Sequence, residues 1–244
     1  MKLRTLIITP TYNEITNLPK LISEINRIVP KASLLIVDDN SPDGTGALAD
    51  QYAKDHSSIF VLHRQHKQGL GKAYIDAFRW GIDHQYDLLI QIDADLSHPI
   101  DQLPTLIMHA QHADLIIGSR WIKQGAIVGW PLWRALLSKG GTSYAQFILG
   151  LQVKDLTSGF KCFHRHVLET ILDDDVSSTG YCFQIELTWR ALRADFRVLE
   201  IPITFTERTD GESKISLNII LEAIWKVWLI RWKKWTPSMQ SAQK

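Results

Sequence analysis

The stretch LLIQIDADLSHP, residues 88–99, starts as an unbroken apolar run and ends in two acids, Asp93 and Asp95, with one alanine between them. A short apolar run bounded by turn residues is the pattern of a strand covered on both faces. Like charges at the end of such a strand repel unless a cation or a donor group joins them. The run is therefore read as a core strand that delivers carboxylates to a site.

The same alternation extends outward in both directions. Upstream, TLIIT (5–9), SLLIVDD (33–39) and IFVLHR (59–64) read as strands. NLPKLISEINRIV (17–29), DGTGALADQYAKD (43–55) and GKAYIDAFRWGIDH (71–84) read as helices. Thr16 or Asn17 suits the first N-cap, and Asp43 lies near the start of the second helix. Downstream come a helix over 100–112 and the strand DLIIGS (114–119). Strands alternating with helices predict an α/β fold, a mostly parallel sheet with both faces covered. Past Arg120 the pattern changes. WIKQGAIVGWPLW (121–133) lacks periodicity and is read as a loop, of a length that is often functional. Helices over 134–149 and 181–193 flank a short strand GFKCF (159–163). FRVLEIPITFTE (196–207) reads as a further strand, with Pro202 pointing to an edge or a bulge.

The bulk numbers bound the function. The chain has 244 residues, is 45% apolar and carries a net charge of +1, so no global field favours nucleic acid. Its two cysteines, Cys162 and Cys182, form neither a disulfide framework nor a zinc motif. The apolar run before Pro10 is too short for a signal peptide, and no window is a clean membrane span, so a cytosolic protein is expected. No Gly-x-Ser-x-Gly, Gly-x-Gly-x-x-Gly or P-loop is present, and GLGKA (69–73) reads as a tight turn opening a helix.

In an open α/β sheet, ligands bind beyond the carboxyl ends of the strands. Here those ends carry Tyr12 and Glu14; Asp38, Asp39 and Asp43; Asp93 and Asp95; and Arg120. Asp-x-Asp alone also serves turns before helices, and DDNSPDGT also suits turn and cap chemistry. Together on neighbouring strands, they point to a divalent metal. Mg²⁺ and Mn²⁺ take oxygen ligands, typically one or two carboxylates plus substrate phosphates.

PTYNE, VDDNSPDGT, GLGKAY, DADLSHP, GSRW, LTSGF, GYCFQIE and RTDGESK follow one another over about residues 5–216. In that order they resemble family 2 glycosyltransferases of the dolichol-phosphate mannose synthase type. The resemblance implies a GT-A fold, and inverting transfer of mannose from GDP-mannose to a polyprenyl monophosphate. It implies that Pro10, Tyr12, Glu14, Val37 and Asp39 hold the guanosine. Asp93, Ala94 and Asp95 would lie at the metal and diphosphate, Arg120 at the reacting centre, and Arg208 and Lys214 over the donor diphosphate. Arg120, Arg134 and Ser138 would meet the acceptor phosphate. Some relatives place a metal-binding glutamine two residues after the second Asp, where this chain has Ser97. Sister enzymes use UDP-glucose or another nucleotide sugar. A non-catalytic nucleotide-sugar binder, recruiting others to a membrane, is the rival of another class.

The catalytic domain is expected over 1–215, with a tail over 216–244. Within LNIILEAIWKVWLIRWKKW (217–235), Trp225, Trp228, Trp232 and Trp235 fall at i, i+3, i+7 and i+10, one helix face. Trp mixed with Lys and Arg is the composition of an interfacial helix. With loop 121–133, it predicts peripheral association with the cytosolic membrane face.

Overall fold

The computed structural model describes residues 3–173, 176, 178, 181–207, 217–233, 235 and 236. The first half is a regular alternation: β1 (Thr5–Thr11), α1 (Leu18–Ile28), β2 (Ser33–Asp38), α2 (Thr45–Asp55), β3 (Ile59–His63), α3 (Leu70–Asp83) and β4 (Leu88–Gln91). Then come α4 (Leu103–His109), β5 (Leu115–Ser119), β6 (Ala126–Val128), α5 (Leu132–Leu149), β7 (Lys161–His164) and α6 (Arg165–Ile171). The chain continues through α7 (Tyr181–Arg193), β8 (Val198–Pro202), β9 (Thr204–Thr206) and α8 (Leu217–Trp232).

The main sheet has the order β3-β2-β1-β4-β7-β5-β8. The expected α/β class holds. All neighbours are parallel except β7, which runs antiparallel to both β4 and β5. Strand side chains alternate between two cores. On β1, Leu6 and Ile8 face α3 and α7, while Ile7 faces α1 and α4. Both sets are fully buried, which explains why the strands read as continuous apolar runs. Gly81 lets α3 approach closely, since a methyl there would sit 2.5 Å from Leu89 Cδ2 and 2.9 Å from Leu6 Cδ2.

Three expectations change. Loop 121–133 contains β6, which pairs in parallel with β9 as a second, two-stranded sheet. The stretch 196–207 therefore splits: β8 is an edge strand ending at Pro202, and β9 leaves for the small sheet. The four tryptophans also do not share one helix face. The helix ends at Trp232, while Trp235 is buried against Trp189 (ring centroids 6.0 Å apart) and under the Arg190 guanidinium.

Candidate active site

The carboxyl ends of β1, β2, β4 and β5 meet along one edge of the sheet, as the strand-end residues predicted. The acids there divide into two groups. Asp38 and Asp43 are used by their own loop. Asp38 accepts from Ser41 N (3.1 Å) and from the hydroxyls of Ser41 and Thr11. Asp43 accepts from Thr45 N, Thr45 Oγ1 and Ile15 N. For these two the turn-and-cap alternative is the one observed. Asp93 and Asp95 remain part-exposed at the strand end, while Asp39 is buried against Arg64.

Asp39 follows β2, its N–H donating to Thr11 O (3.1 Å). Its carboxylate pairs with Arg64, which also holds Asp76 at 2.9 Å. Burial raises the Asp39 pKa, and Arg64 offsets this in part. Tyr12 lies under the Lys67 ammonium, 3.7 Å from the ring centroid. Arg64 and Lys67 had no mark in the sequence beyond following β3. Glu14 accepts from the Asn17 amide at 2.8 Å, and Pro10 pairs in register with Val37. Val37 is wholly buried, and its carbonyl accepts from Thr11 Oγ1.

Asp93 and Asp95 leave β4 through a tight turn in which Leu96 takes φ 61°, a left-handed backbone uncommon for a branched side chain. Asp95 Oδ1 accepts from Ser97 N (3.1 Å), and Ser97 O accepts from Thr206 N (3.1 Å), tying the turn to β9. Asp93 accepts from Tyr74 Oη at 3.2 Å, and its N–H donates to His98 Nδ1 at 3.2 Å. Burial raises the Asp93 pKa, and the charge on Asp95 adds to the rise while His98 opposes it. About a third of the Asp93 side chain (34%) still reaches solvent, so the acid opens onto the site. Ala94 is buried beneath the turn. A cation bound by Asp93 and Asp95 would relieve their repulsion. Among the described residues no group of three or more His, Cys, Asp or Glu is placed to hold a metal. The remaining ligands would thus come from a substrate diphosphate and water, as is usual for Mg²⁺.

Arg120, the first residue after β5, is buried and bound by Asp155. Its N–H and Nε donate to Oδ2 (2.9 and 2.8 Å), and Nη2 donates to Oδ1 (2.7 Å) and Thr157 Oγ1 (2.8 Å). The rings of Trp121, Trp130 and Phe205 surround the guanidinium at 5.5–5.9 Å. A bidentate grip on phosphate by that fork is closed while Asp155 fills it, leaving Nη1 and the charge. Asp155 lies 35 residues from Arg120, too far for spacing to reveal the pair. Asp155→Ala should cost about 3–5 kcal/mol, because it strands a buried guanidinium. Urea unfolding checks this, and a loss below about 1 kcal/mol would show that Arg120 is held by other partners.

Arg134, on the first turn of α5, stacks on Trp130 (4.1 Å to the centroid) and donates Nη1 to Glu207 Oε1 at 2.6 Å. A carboxylate thus already occupies Arg134. Arg134 Nε, Trp121 Nε1 and Trp130 Nε1 are buried donors with no partner among the described residues. Ser138 is half-buried one turn along α5. Arg208 and Lys214 lie outside the described residues.

Beside Arg134 the protein turns apolar. Leu132, Trp133, Leu136 and Phe147 on α5 are 61–86% exposed. α8 packs alongside, with Tyr144 Oη donating to Ile224 O at 3.2 Å. It adds the exposed Trp225, Leu229 and Trp232. The sequence showed α5 only as a helix, because the apolar stripe that packs a core and the one that faces outward look alike.

Comparison with known proteins fits this geometry. The family described as Glycosyl transferase family 2 matches residues 6–172. "Polyprenol monophosphomannose synthase" of Mycolicibacterium smegmatis is 48% identical over 232 residues, covering 93% of this chain and 88% of the relative. "Undecaprenyl-phosphate mannosyltransferase" of Micrococcus luteus is 46% identical over 230 residues, covering 94% of each. Among solved structures, glucosyl-3-phosphoglycerate synthase of Mycobacterium tuberculosis, in complex with Mn²⁺, uridine diphosphate and glucosyl-3-phosphoglycerate, has a TM-score of 0.67. It is 17% identical, covering 94% of this chain and 80% of that one, a likeness of fold.

Proposed function

The chain belongs to glycosyl transferase family 2 and has its GT-A fold, and on that premise we propose that it transfers mannose from GDP-mannose to a polyprenyl monophosphate. The names of the two relatives support the acceptor and the sugar. The observation that carries the reading is a juxtaposition. Paired carboxylates at the end of β4 lie near Arg120, whose charge acts on Asp93, and Arg134 joins Arg120 around the Trp130 ring. The exposed apolar helix α5 begins at Arg134's own turn. A substrate that is phosphate at one end and hydrocarbon beyond it matches that order.

The roles follow from chemistry. Asp39, next to Tyr12, Glu14 and the edges of Pro10 and Val37, would accept from the N–H groups of the guanine. Asp93 and Asp95 would hold a divalent cation, Mg²⁺ or Mn²⁺, which when bound neutralises charge growing on the diphosphate leaving group. Arg208 and Lys214 would add to that neutralisation. An acceptor monophosphate is largely ionised near neutral pH, its second pKa being about 6. One of its oxygens can attack the anomeric carbon directly as the bond to the diphosphate breaks, inverting that carbon without a general base. Arg134, Ser138 and the Nη1 edge of Arg120 would aim that oxygen. The phosphate would replace Glu207 on Arg134.

No described helix is long and apolar enough to cross a membrane. We place the protein at the cytosolic membrane face, held peripherally by α5, α8 and loop 121–133, with residues 1–215 as the catalytic unit and 216–244 as the membrane-binding tail. The deciding test is purified protein with Mn²⁺, a short polyprenyl phosphate and radiolabelled GDP-mannose or UDP-glucose in parallel. Label entering lipid from GDP-mannose is expected. Label from UDP-glucose would overturn the sugar and base, and binding without transfer from either would favour a non-catalytic subunit.

A further inference from the structure

Gln184 lies on α7, near the acidic turn, and neither the acids nor the arginines use it. It is 3% exposed, and both its amide oxygen and its amide nitrogen are buried without a partner among the described residues. Buried carboxamides are rarely left so, because each unmade bond keeps its desolvation penalty. The backbone around it is pinned. Gln184 O accepts from Lys161 Nζ (2.9 Å) and from Thr188 Oγ1 (3.0 Å). The backbone is therefore fixed, while the side-chain amide has no partner among the described residues.

The space in front of it is a slot over Gly159. A methyl built on the Gly159 α-carbon would lie 3.5 Å from His98 Cε1, 3.6 Å from Asp93 Oδ2 and 3.8 Å from Gln184 Nε2. Those are ordinary contact distances, so alanine would fit, yet the position holds glycine. The slot has room for at least a methyl or hydroxyl group. It is walled by a carboxylate, an imidazole edge and an unpartnered amide, and Asp93 opens it to the site.

We propose that Gln184 is a specificity-determining residue, which hydrogen-bonds ring hydroxyls of the donor sugar entering the slot over Gly159. This rests on the donor site assigned to Asp93 and Asp95. A carboxamide has one donor edge and one acceptor edge side by side. Two adjacent hydroxyls can satisfy both, one accepting from Nε2 and the other donating to Oε1. Sites that leave a polar group unpaired when a hydroxyl is missing discriminate strongly against the analogue lacking it.

The test is calorimetric binding in Mn²⁺ of GDP, GDP-mannose, and GDP-mannose analogues each lacking one ring hydroxyl, to wild type, Gln184→Leu and Gly159→Ala. Gln184→Leu removes an unpartnered amide, so its folding stability should be kept or improved. The expected result is unchanged affinity for GDP and a loss of about 10-fold or more for GDP-mannose in both variants. At least one deoxy analogue should bind wild type and Gln184→Leu equally. Equal binding of GDP-mannose by wild type and Gln184→Leu would overturn the proposal and leave an internal water as the amide's partner. So would a loss that includes GDP. Wild type binding neither GDP nor GDP-mannose, but binding UDP-glucose or no nucleotide, would instead overturn the donor assignment beneath it.

Discussion

Asp95→Ala should lower transfer of mannose to lipid phosphate by about 10²-fold or more, the scale of losing one preorganised electrostatic contact at a developing charge. Losing the bond that Asp95 accepts from Ser97 N should cost about 1 kcal/mol, and a thermal melt of the variant separates lost fold from lost chemistry. Asp95→Asn separates the two contributions. It can keep the bond to Ser97 but not the charge, so it should hold the turn and be nearly as inactive as the alanine variant. Asp93 is a poorer probe, since its carboxylate also anchors Tyr74 and lies beside His98. Initial rates across a Mn²⁺ titration make the measurement. A wild-type rate for Asp95→Asn would remove Asp95 from the site, and full rescue by high Mn²⁺ would confine its role to metal affinity.

The acids could be found in the sequence because three facts coincide at one place: an apolar run, its end, and a charge that a buried strand does not otherwise tolerate. The α/β alternation was legible for the same reason, as each strand is buried on both faces. Direction was not. GFKCF shows the same pattern whether the strand runs up or down, and β7 is antiparallel. The small sheet of β6 and β9 escaped notice because three-residue strands with exposed faces have no periodicity.

Partners separated in the chain were equally hidden. Asp155 has no signature of its own, yet it decides how Arg120 can act. Glu207 does the same for Arg134. Trp235 misled in the opposite sense. Its spacing continues the helical series, but Pro237 follows closely, and a helix tends to end ahead of a proline. The ring then turns inward onto Trp189.

That inward turn changes how membrane association should be tested. Deleting the chain after Ser216 would also remove Val227, Ile230 and Trp235 from the core, so lost lipid binding would be confounded with lost stability. Leu136→Glu combined with Phe147→Glu is cleaner. These side chains are 70% and 86% exposed, and charges there leave the core untouched. If α5 lies in the interface, each replacement forfeits roughly 1.5–3 kcal/mol of apolar burial. Together they should weaken sedimentation with anionic vesicles by about 10²-fold or more. Binding of GDP should not change, because neither side chain is among the residues assigned to the nucleotide. Vesicle binding equal to wild type would take α5 out of the interface and leave α8 and loop 121–133 to hold the membrane. A lower thermal midpoint in the double variant would instead show that this face is covered by protein.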